Sequence, residues 1–281
     1  MPAVLTPEGS DEPPAAPRHA ATVMLVRDNP AGIEVFLLRR VLGMAFAGGM
    51  TVFPGGGMDQ RDADASVAWH GPEPAWWAER FGCAENLARA QVCAAVRETF
   101  EESGVLLAGP DPDSVVSDVR PYASARQRLE SRELSLAAFL AEASLVLRAD
   151  LLRPWANWVT PEAEAKRYDA QFFLAELPRG QRADGDTSEA QDAGWQRPAD
   201  ALEDWKQGRS RLVPPTWATL TELAECASVA DAMGRERTIA KITPKVVRDD
   251  GGLRVVLPGH PAYDSAPAHL DARPGDELRR E

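Results

Sequence analysis

A glycine-rich turn joins a strand pattern to a helix pattern in the first third of the chain. The turn is Pro54-Gly55-Gly56-Gly57, and it directly follows the short β-type run 51–53. Successive glycines allow backbone dihedral angles that are closed to other residues, so such a turn can approach a ligand closely. From Asn86 the apolar residues recur at helical spacing, and Gly104 can end that helix. A strand, a glycine turn and a helix predict an α/β fold with a ligand site at the turn.

The rest of the chain fits a mixed α/β protein. Short runs of β-branched and apolar residues predict strands at 21–26, 34–39, 105–107, 172–177 and 253–257. Helical spacing predicts helices at 125–132, 134–147 and 214–233. Because the segment between the first two strands is typical of a turn, we expect those strands to form a hairpin.

Composition divides the chain into one domain with two tails. Residues 1–19 and 264–281 combine prolines with charged residues, so they cannot bury enough apolar surface to offset the entropy of ordering, and we predict that both are disordered. The predicted domain is 20–263. Within it, residues 58–84 show no sustained period and are interpreted as an insertion or long loop.

Charge and cysteine content narrow the classes of partner. The chain has 43 acidic and 31 basic residues, a net charge of −12 and a pI near 4.9, which argues against nucleic acid as a partner. No stretch of about 18 apolar residues occurs, so we expect neither a signal peptide nor a membrane span. The three scattered cysteines predict reduced thiols and a cytoplasmic protein. The sequence is compatible with a monomer and with a homodimer.

The segment from Arg97 to Val105 carries most of the chemistry. Glu98, Glu101 and Glu102 are spaced so that they share one face of a helix, where like charges repel each other. Divalent cations such as Mg²⁺ prefer carboxylate oxygens and keep positions open for substrate phosphates. The simpler interpretation is a solvated acidic face, but the nearby glycine turn favours a site for metal-bound phosphate.

This segment resembles the Nudix box. Arg97, Glu98, Glu101, Glu102, Gly104 and Val105 match the second half of that motif, and Phe53-Pro54-Gly55-Gly56 resembles the strand end and glycine loop that precede it. The resemblance implies a Nudix-type α/β/α sandwich with a mixed β-sheet and extra helices. It also implies hydrolysis of a diphosphate linkage with Mg²⁺ or Mn²⁺.

The spacing within the box differs from the family pattern. Gly56 and Arg97 are separated by 27 residues more than in the family, so an insertion lies inside the motif. Counted back from Arg97, the position of the first glutamate holds Arg89, which predicts that the usual partner of the helix arginine is missing. Glu85 is a weak substitute. This loss motivates an alternative function, a catalytically weak or inactive nucleotide-binding regulatory module.

The resemblance also implies roles for individual residues. Glu98, Glu101 and Glu102 would be metal ligands, the carbonyl of Gly55 would add an oxygen, and Arg97 would orient a glutamate. The general base would be a helix glutamate such as Glu98 or an acidic residue of a later loop, for which Glu189 is the candidate.

The long insertion and an Arg-Glu-Thr-Phe-Glu-Glu run are similar to the branch of the family that hydrolyses coenzyme A. Gly49 and Arg40 fit the signature of that branch, whereas Ala45 stands where a second arginine belongs. Substrate contacts are predicted for Arg39, Arg40 and Gly56, although both arginines could instead only flank a strand. We therefore expect a divalent-metal-dependent hydrolase of a nucleoside diphosphate derivative, with coenzyme A or acyl-coenzyme A slightly preferred.

Overall fold

The computed structural model describes residues 15–43, 47–162, 164, 166–249 and 252–267. Its strands, in chain order, are β1 Arg18–Asn29, β2 Gly32–Arg40, β3 Thr51–Val52, β4 Gly55–Gly57, β5 Trp69–His70, β6 Ala108–Gly109, β7 Val146–Arg148, β8 Leu152–Val159, β9 Tyr168–Glu176, β10 Ala190–Gln196, β11 Lys241–Ile242, β12 Lys245–Asp249 and β13 Gly252–Val256. Its helices are α1 Pro74–Phe81, α2 Glu85–Ser103, α3 Ala123–Glu130, α4 Leu136–Glu142, α5 Pro198–Lys206, α6 Pro214–Ala224 and α7 Val229–Gly234.

The main sheet has eight strands and is mixed. Its order is β10-β2-β1-β9-β8-β11, with β3 paired to β2 and β4 paired to β1. The pairs β1–β9 and β8–β11 are parallel, whereas the other pairs of this sheet are antiparallel. One half of β1 pairs with β2 and the other half with β4, so the glycine turn lies beside the centre of the sheet.

Helices cover both faces of this sheet. Along β1, Val23 and Leu25 belong to the core under α1, α2, α3 and α4, whereas Met24 and Val26 belong to the core under α5, α6 and α7. Strand side chains alternate between the two faces, so both faces of an inner strand must be apolar to be covered in this way. The predicted fold class, an α/β/α sandwich with a mixed sheet, is confirmed.

Several predicted elements differ in detail. The predicted hairpin is β1–β2, and the helix predicted from Asn86 is α2. The helix predicted at 134–147 ends at Glu142, and its last residues form β7. The strand predicted at 105–107 is wrong, since pairing begins only at Ala108. The helix predicted at 214–233 is two helices, because the side chain of Ser228 accepts a hydrogen bond from Asp231 N and starts α7.

Residues 58–84 are not a loop. They contain a 3₁₀ turn at Gln60–Ala63, β5 and α1, and β5 joins β7 and β6 in a small second sheet. The side chain of Trp77 is fully buried, with its ring 5.7 Å from that of Phe173 in the central strand β9. This segment is therefore part of the core under α2.

The described residues reach into both predicted tails. Strand β1 begins at Arg18, within the predicted tail 1–19, and Ala266 is buried within the predicted tail 264–281. Residues 1–14 and 268–281 lie outside the described residues, as does Ala45. In the part of the chain that is described, no helix combines the length and the apolar character needed to cross a membrane.

Candidate active site

The C-terminal half of helix α2 is buried, and this places its carboxylates inside the protein. It packs on α1, on β1 and β4 of the main sheet, on the 3₁₀ turn at 60–63 and on α3. Glu98, Glu101 and Glu102 are each at most 8% exposed. The helix ends at Gly104, which takes the left-handed conformation (φ 69°) that favours glycine. The interpretation of these glutamates as a solvated face is wrong.

Arg97 does have an acidic partner, and it is Asp62. Arg97 Nε donates to Asp62 Oδ1 and Arg97 Nη2 donates to Asp62 Oδ2, both at 2.9 Å. Counted forward, five residues separate Gly56 from Asp62, which is the spacing of the first half of the Nudix box with aspartate in place of glutamate. The insertion lies after this acid. The predicted loss of the arginine partner is therefore wrong, and Glu85, exposed in the first turn of α2, does not replace it.

Arg97 also draws the helix carboxylates together. Its Nη1 donates to Glu98 Oε1 at 2.7 Å and to both carboxylate oxygens of Glu101 at 3.2 Å, while Nη2 donates to the carbonyl of Gly57 at 3.0 Å. One guanidinium thus connects the 3₁₀ turn, the glycine turn and the helix, and the orienting role of Arg97 in catalysis stays a prediction.

The glycine turn lies directly against two of the glutamates. Gly55 N donates to Glu102 Oε2 at 2.7 Å. A Cβ on Gly56 would lie 2.5 Å from Glu98 Oε2, so no larger residue fits there without displacing that carboxylate. The turn and the helix therefore form one surface, as the sequence predicts.

The negative charge of this surface is only partly neutralised. Burial raises the pKa of Glu98 to about 7 and also raises the pKa of Glu101. Burial raises the pKa of Glu102 well above its usual value, the charge of Glu98 adds to the rise, and that of Arg40 opposes it. Buried carboxylates in this state gain stability from a nearby cation.

The donor set suits a hard divalent cation, because it consists of carboxylate oxygens. Within the described ranges, no three acidic, histidine or cysteine side chains already converge as a metal site. The carboxylates of Glu98 and Glu101 accept hydrogen bonds from Arg97, and that of Glu102 accepts one from the N–H of Gly55. The residues thus fit such an ion by chemistry.

A second ion pair stands at the edge of this surface. Arg40 at the end of β2 pairs with Glu189, with Nη2 and Oε2 2.5 Å apart, and Val41 N donates to the carbonyl of Glu189 at 3.0 Å. The alternation of β2 places Arg40 on the same sheet face as Phe36 and Leu38, which pack under α2. Arg39 is exposed and belongs to the other face. Of the two predicted substrate arginines, only Arg40 lies on the side of α2.

A profile of the NUDT19 Nudix domain matches residues 82–223. The chain belongs to this family of Nudix hydrolases. The expected enzyme class, a Nudix pyrophosphohydrolase, is thereby confirmed. The match starts after Asp62, so it includes the carboxylate helix but neither the glycine turn nor the partner of Arg97.

Individual relatives agree with this assignment. Acyl-coenzyme A diphosphatase NUDT19 of Xenopus laevis is 25% identical over 287 residues, covering 86% of this chain and 74% of the relative. The human protein of the same name is 27% identical over 281 residues, covering 84% and 74%. The crystal structure of a Nudix hydrolase from Alicyclobacillus acidocaldarius superposes with a TM-score of 0.67 at 27% identity, covering 80% of this chain and 98% of that chain.

Three residues near the site were missed by sequence reasoning. Asp62 could have been found by counting forward from the glycine turn instead of backward from Arg97. Arg126 and Glu130 on α3 contact the C-terminal end of α2 and the segment before Glu189. They carry no motif, and only the fold brings them to the site.

Proposed function

We propose that this chain is a divalent-metal-dependent diphosphatase that hydrolyses coenzyme A or acyl-coenzyme A. The observation that carries the proposal is the cluster of buried glutamates held by Arg97 against the glycine turn. Two relatives that align over more than four fifths of this chain are named acyl-coenzyme A diphosphatases, which supports the substrate class.

Glu98, Glu101 and Glu102 would hold Mg²⁺ or Mn²⁺, with the carbonyl of Gly55 as a further oxygen. Such an ion, when bound, supplies positive charge to the diphosphate and lowers the pKa of a water molecule. Arg97 keeps Glu98 and Glu101 in place and is itself held by Asp62. The protein's net negative charge does not forbid an anionic substrate, because each bound ion would bring two positive charges to the site.

Arg40 and Glu189 would act on the substrate side. The guanidinium of Arg40 can donate charge-assisted hydrogen bonds to a phosphate oxygen. When phosphate takes over Arg40, Glu189 is released to accept the proton of the attacking water. The side chain of Glu189 is 44% exposed, against 10% for Glu98 and Glu101, and it is not assigned to the ion, so its carboxylate stays available to a water molecule. Arg39 has no role in this scheme.

The test is hydrolysis of a panel of diphosphates by the full chain. Coenzyme A and a medium-chain acyl-coenzyme A are compared with NADH, ADP-ribose and diadenosine tetraphosphate, with Mg²⁺, with Mn²⁺ and with EDTA. We expect 4′-phosphopantetheine or its acyl form, together with adenosine 3′,5′-bisphosphate, only when metal is present.

Two variants make this test specific. Glu102→Gln removes one buried ligand charge and should lower turnover by roughly 100-fold or more. Glu85→Gln, an exposed position on the same helix, is the control and should leave turnover unchanged. If NADH or ADP-ribose were cleaved more efficiently than coenzyme A and its acyl derivative, the proposed substrate would be rejected. Full activity in EDTA would reject the metal site.

A further inference from the structure

Helix α3 contacts the segment that leads to Glu189. Two of its side chains, Arg126 and Glu130, are four residues apart and so lie on one face of the helix. We propose that Arg126 and Glu130 are positioning residues that hold segment 184–189 so that Glu189 reaches the substrate. The inference rests on the proposed function, since it takes Glu189 as the general base.

Glu130 binds the two residues immediately before Glu189. Its Oε1 accepts from Ser188 N at 2.9 Å, from Ser188 Oγ at 2.6 Å and from Thr187 Oγ1 at 3.2 Å. Three hydrogen bonds to one carboxylate oxygen, two of them with Ser188, restrain both its backbone and its side chain. Hydrogen bonding to an ionised carboxylate is stronger than bonding between neutral groups.

Arg126 ties the start of the same segment to the carboxylate helix. Its Nη1 donates to Asp184 Oδ1 at 2.7 Å and its Nε donates to the carbonyl of Glu101 at 3.0 Å. Asp184 N donates in turn to the carbonyl of Ser103 at 2.9 Å. The segment is therefore fixed to α2 within two residues of the glutamates that would bind the ion.

Glu189 itself is held from the opposite side by β2, through Val41 N and Arg40. When a phosphate takes over Arg40, the backbone bond from Val41 N remains on that side. The side-chain hydrogen bonds that then hold residues 184–188 to the rest of the fold are those of Arg126 and Glu130 on α3. The position of the Glu189 carboxylate during turnover thus depends on Glu130 and Arg126, although neither side chain touches the substrate.

The experiment is a double-mutant cycle on the full chain with coenzyme A and Mg²⁺. Glu130→Ala should lower kcat by about 10- to 100-fold, the effect of a small misplacement of a reacting group, and change KM by less than about 3-fold because Arg40 remains. Glu130→Gln keeps an oxygen acceptor and should recover most of kcat. Glu133→Ala, an exposed carboxylate just beyond α3, is the control and should match the wild type.

The second half of the cycle uses Glu189→Gln. If Glu130 acts through Glu189, adding Glu130→Ala to Glu189→Gln should lower kcat no further. The inference would be overturned if the losses of kcat in the two single variants multiplied in the double variant. An unchanged kcat in Glu130→Ala or in Glu189→Gln would overturn it as well.

Amide hydrogen exchange separates this inference from the proposed function. Residues 184–189 should exchange faster in Glu130→Ala than in the wild type, with the rest of the chain unchanged. Faster exchange in a chain that hydrolyses no diphosphate would refute the proposed function and confirm the restraint by α3 alone. Unchanged exchange in an active enzyme would refute the inference alone.

Discussion

Replacing Asp62 with asparagine tests which acid holds Arg97. The two bonds from Arg97 to Asp62 are both 2.9 Å long, and both side chains are buried. Hydrogen bonds to charged groups contribute about 1.5–3 kcal/mol each, and breaking a buried pair costs about 3–5 kcal/mol. Removing one negative charge also relieves repulsion with Glu98 and Glu101, which offsets part of the loss. We therefore expect Asp62→Asn to lower the free energy of unfolding by about 2–4 kcal/mol.

The assay is urea unfolding of the metal-free protein, with the slope m compared among variants to confirm that only stability has changed. Glu85→Gln is the matched control. Glu85 lies twelve residues before Arg97 on α2, about 18 Å along the axis, so its effect should stay within about 0.5 kcal/mol. An Asp62→Asn variant as stable as the wild type would refute the reasoning, and an unstable Glu85→Gln variant would indicate Glu85 as the partner of Arg97 instead.

Three other outcomes are expected. Burial raises the pKa of Glu98 from 4.5 to about 7, so the unfolded chain releases this proton at lower pH than the folded protein does. As the pH rises from 4.5 to about 7, the free energy of unfolding of the metal-free protein should therefore fall by up to roughly 3 kcal/mol. Denaturation midpoints measured across this range should fall less steeply in Glu98→Gln. Gly56→Ala should lower hydrolysis about 100-fold with an unchanged circular dichroism spectrum. Gly57→Ala adds a Cβ that meets nothing within 4 Å and should leave hydrolysis unchanged. Equal losses in the two variants would contradict the close packing of Gly56 against Glu98. Deleting residues 65–84 should unfold the chain, because Trp77 is buried; a folded deletion variant with altered KM would instead identify a lid.

Elements defined by local pattern were predictable from the sequence. The β1–β2 hairpin follows from two apolar runs around a turn, where Asn29 Oδ1 accepts from Ala31 N. The end of α2 follows from Gly104, since few other residues adopt its backbone conformation. The candidate carboxylates and Arg97 were predictable for the same reason, because one helical period places them together.

What depends on other layers of the fold was not predictable. A helical wheel separates apolar and acidic faces but cannot show that β4 and the 3₁₀ turn cover the acidic one. The partner of Arg97 was missed because the motif was counted across the insertion. Contacts such as that of Glu130 with Ser188 join segments 58 residues apart, and nothing in either segment indicates the other.

The insertion between the two halves of the Nudix box has a thermodynamic consequence. Thirty-four residues separate Asp62 from Arg97 where the family pattern has seven, and closing the longer loop costs only about 1.5 kcal/mol more in chain entropy. Burying the Trp77 side chain contributes about 4 kcal/mol, which exceeds that cost. The contact between the acid and the arginine is therefore insensitive to the length of the connection. Segments of very different length can join these two residues, provided that each brings an apolar side chain to the core under α2.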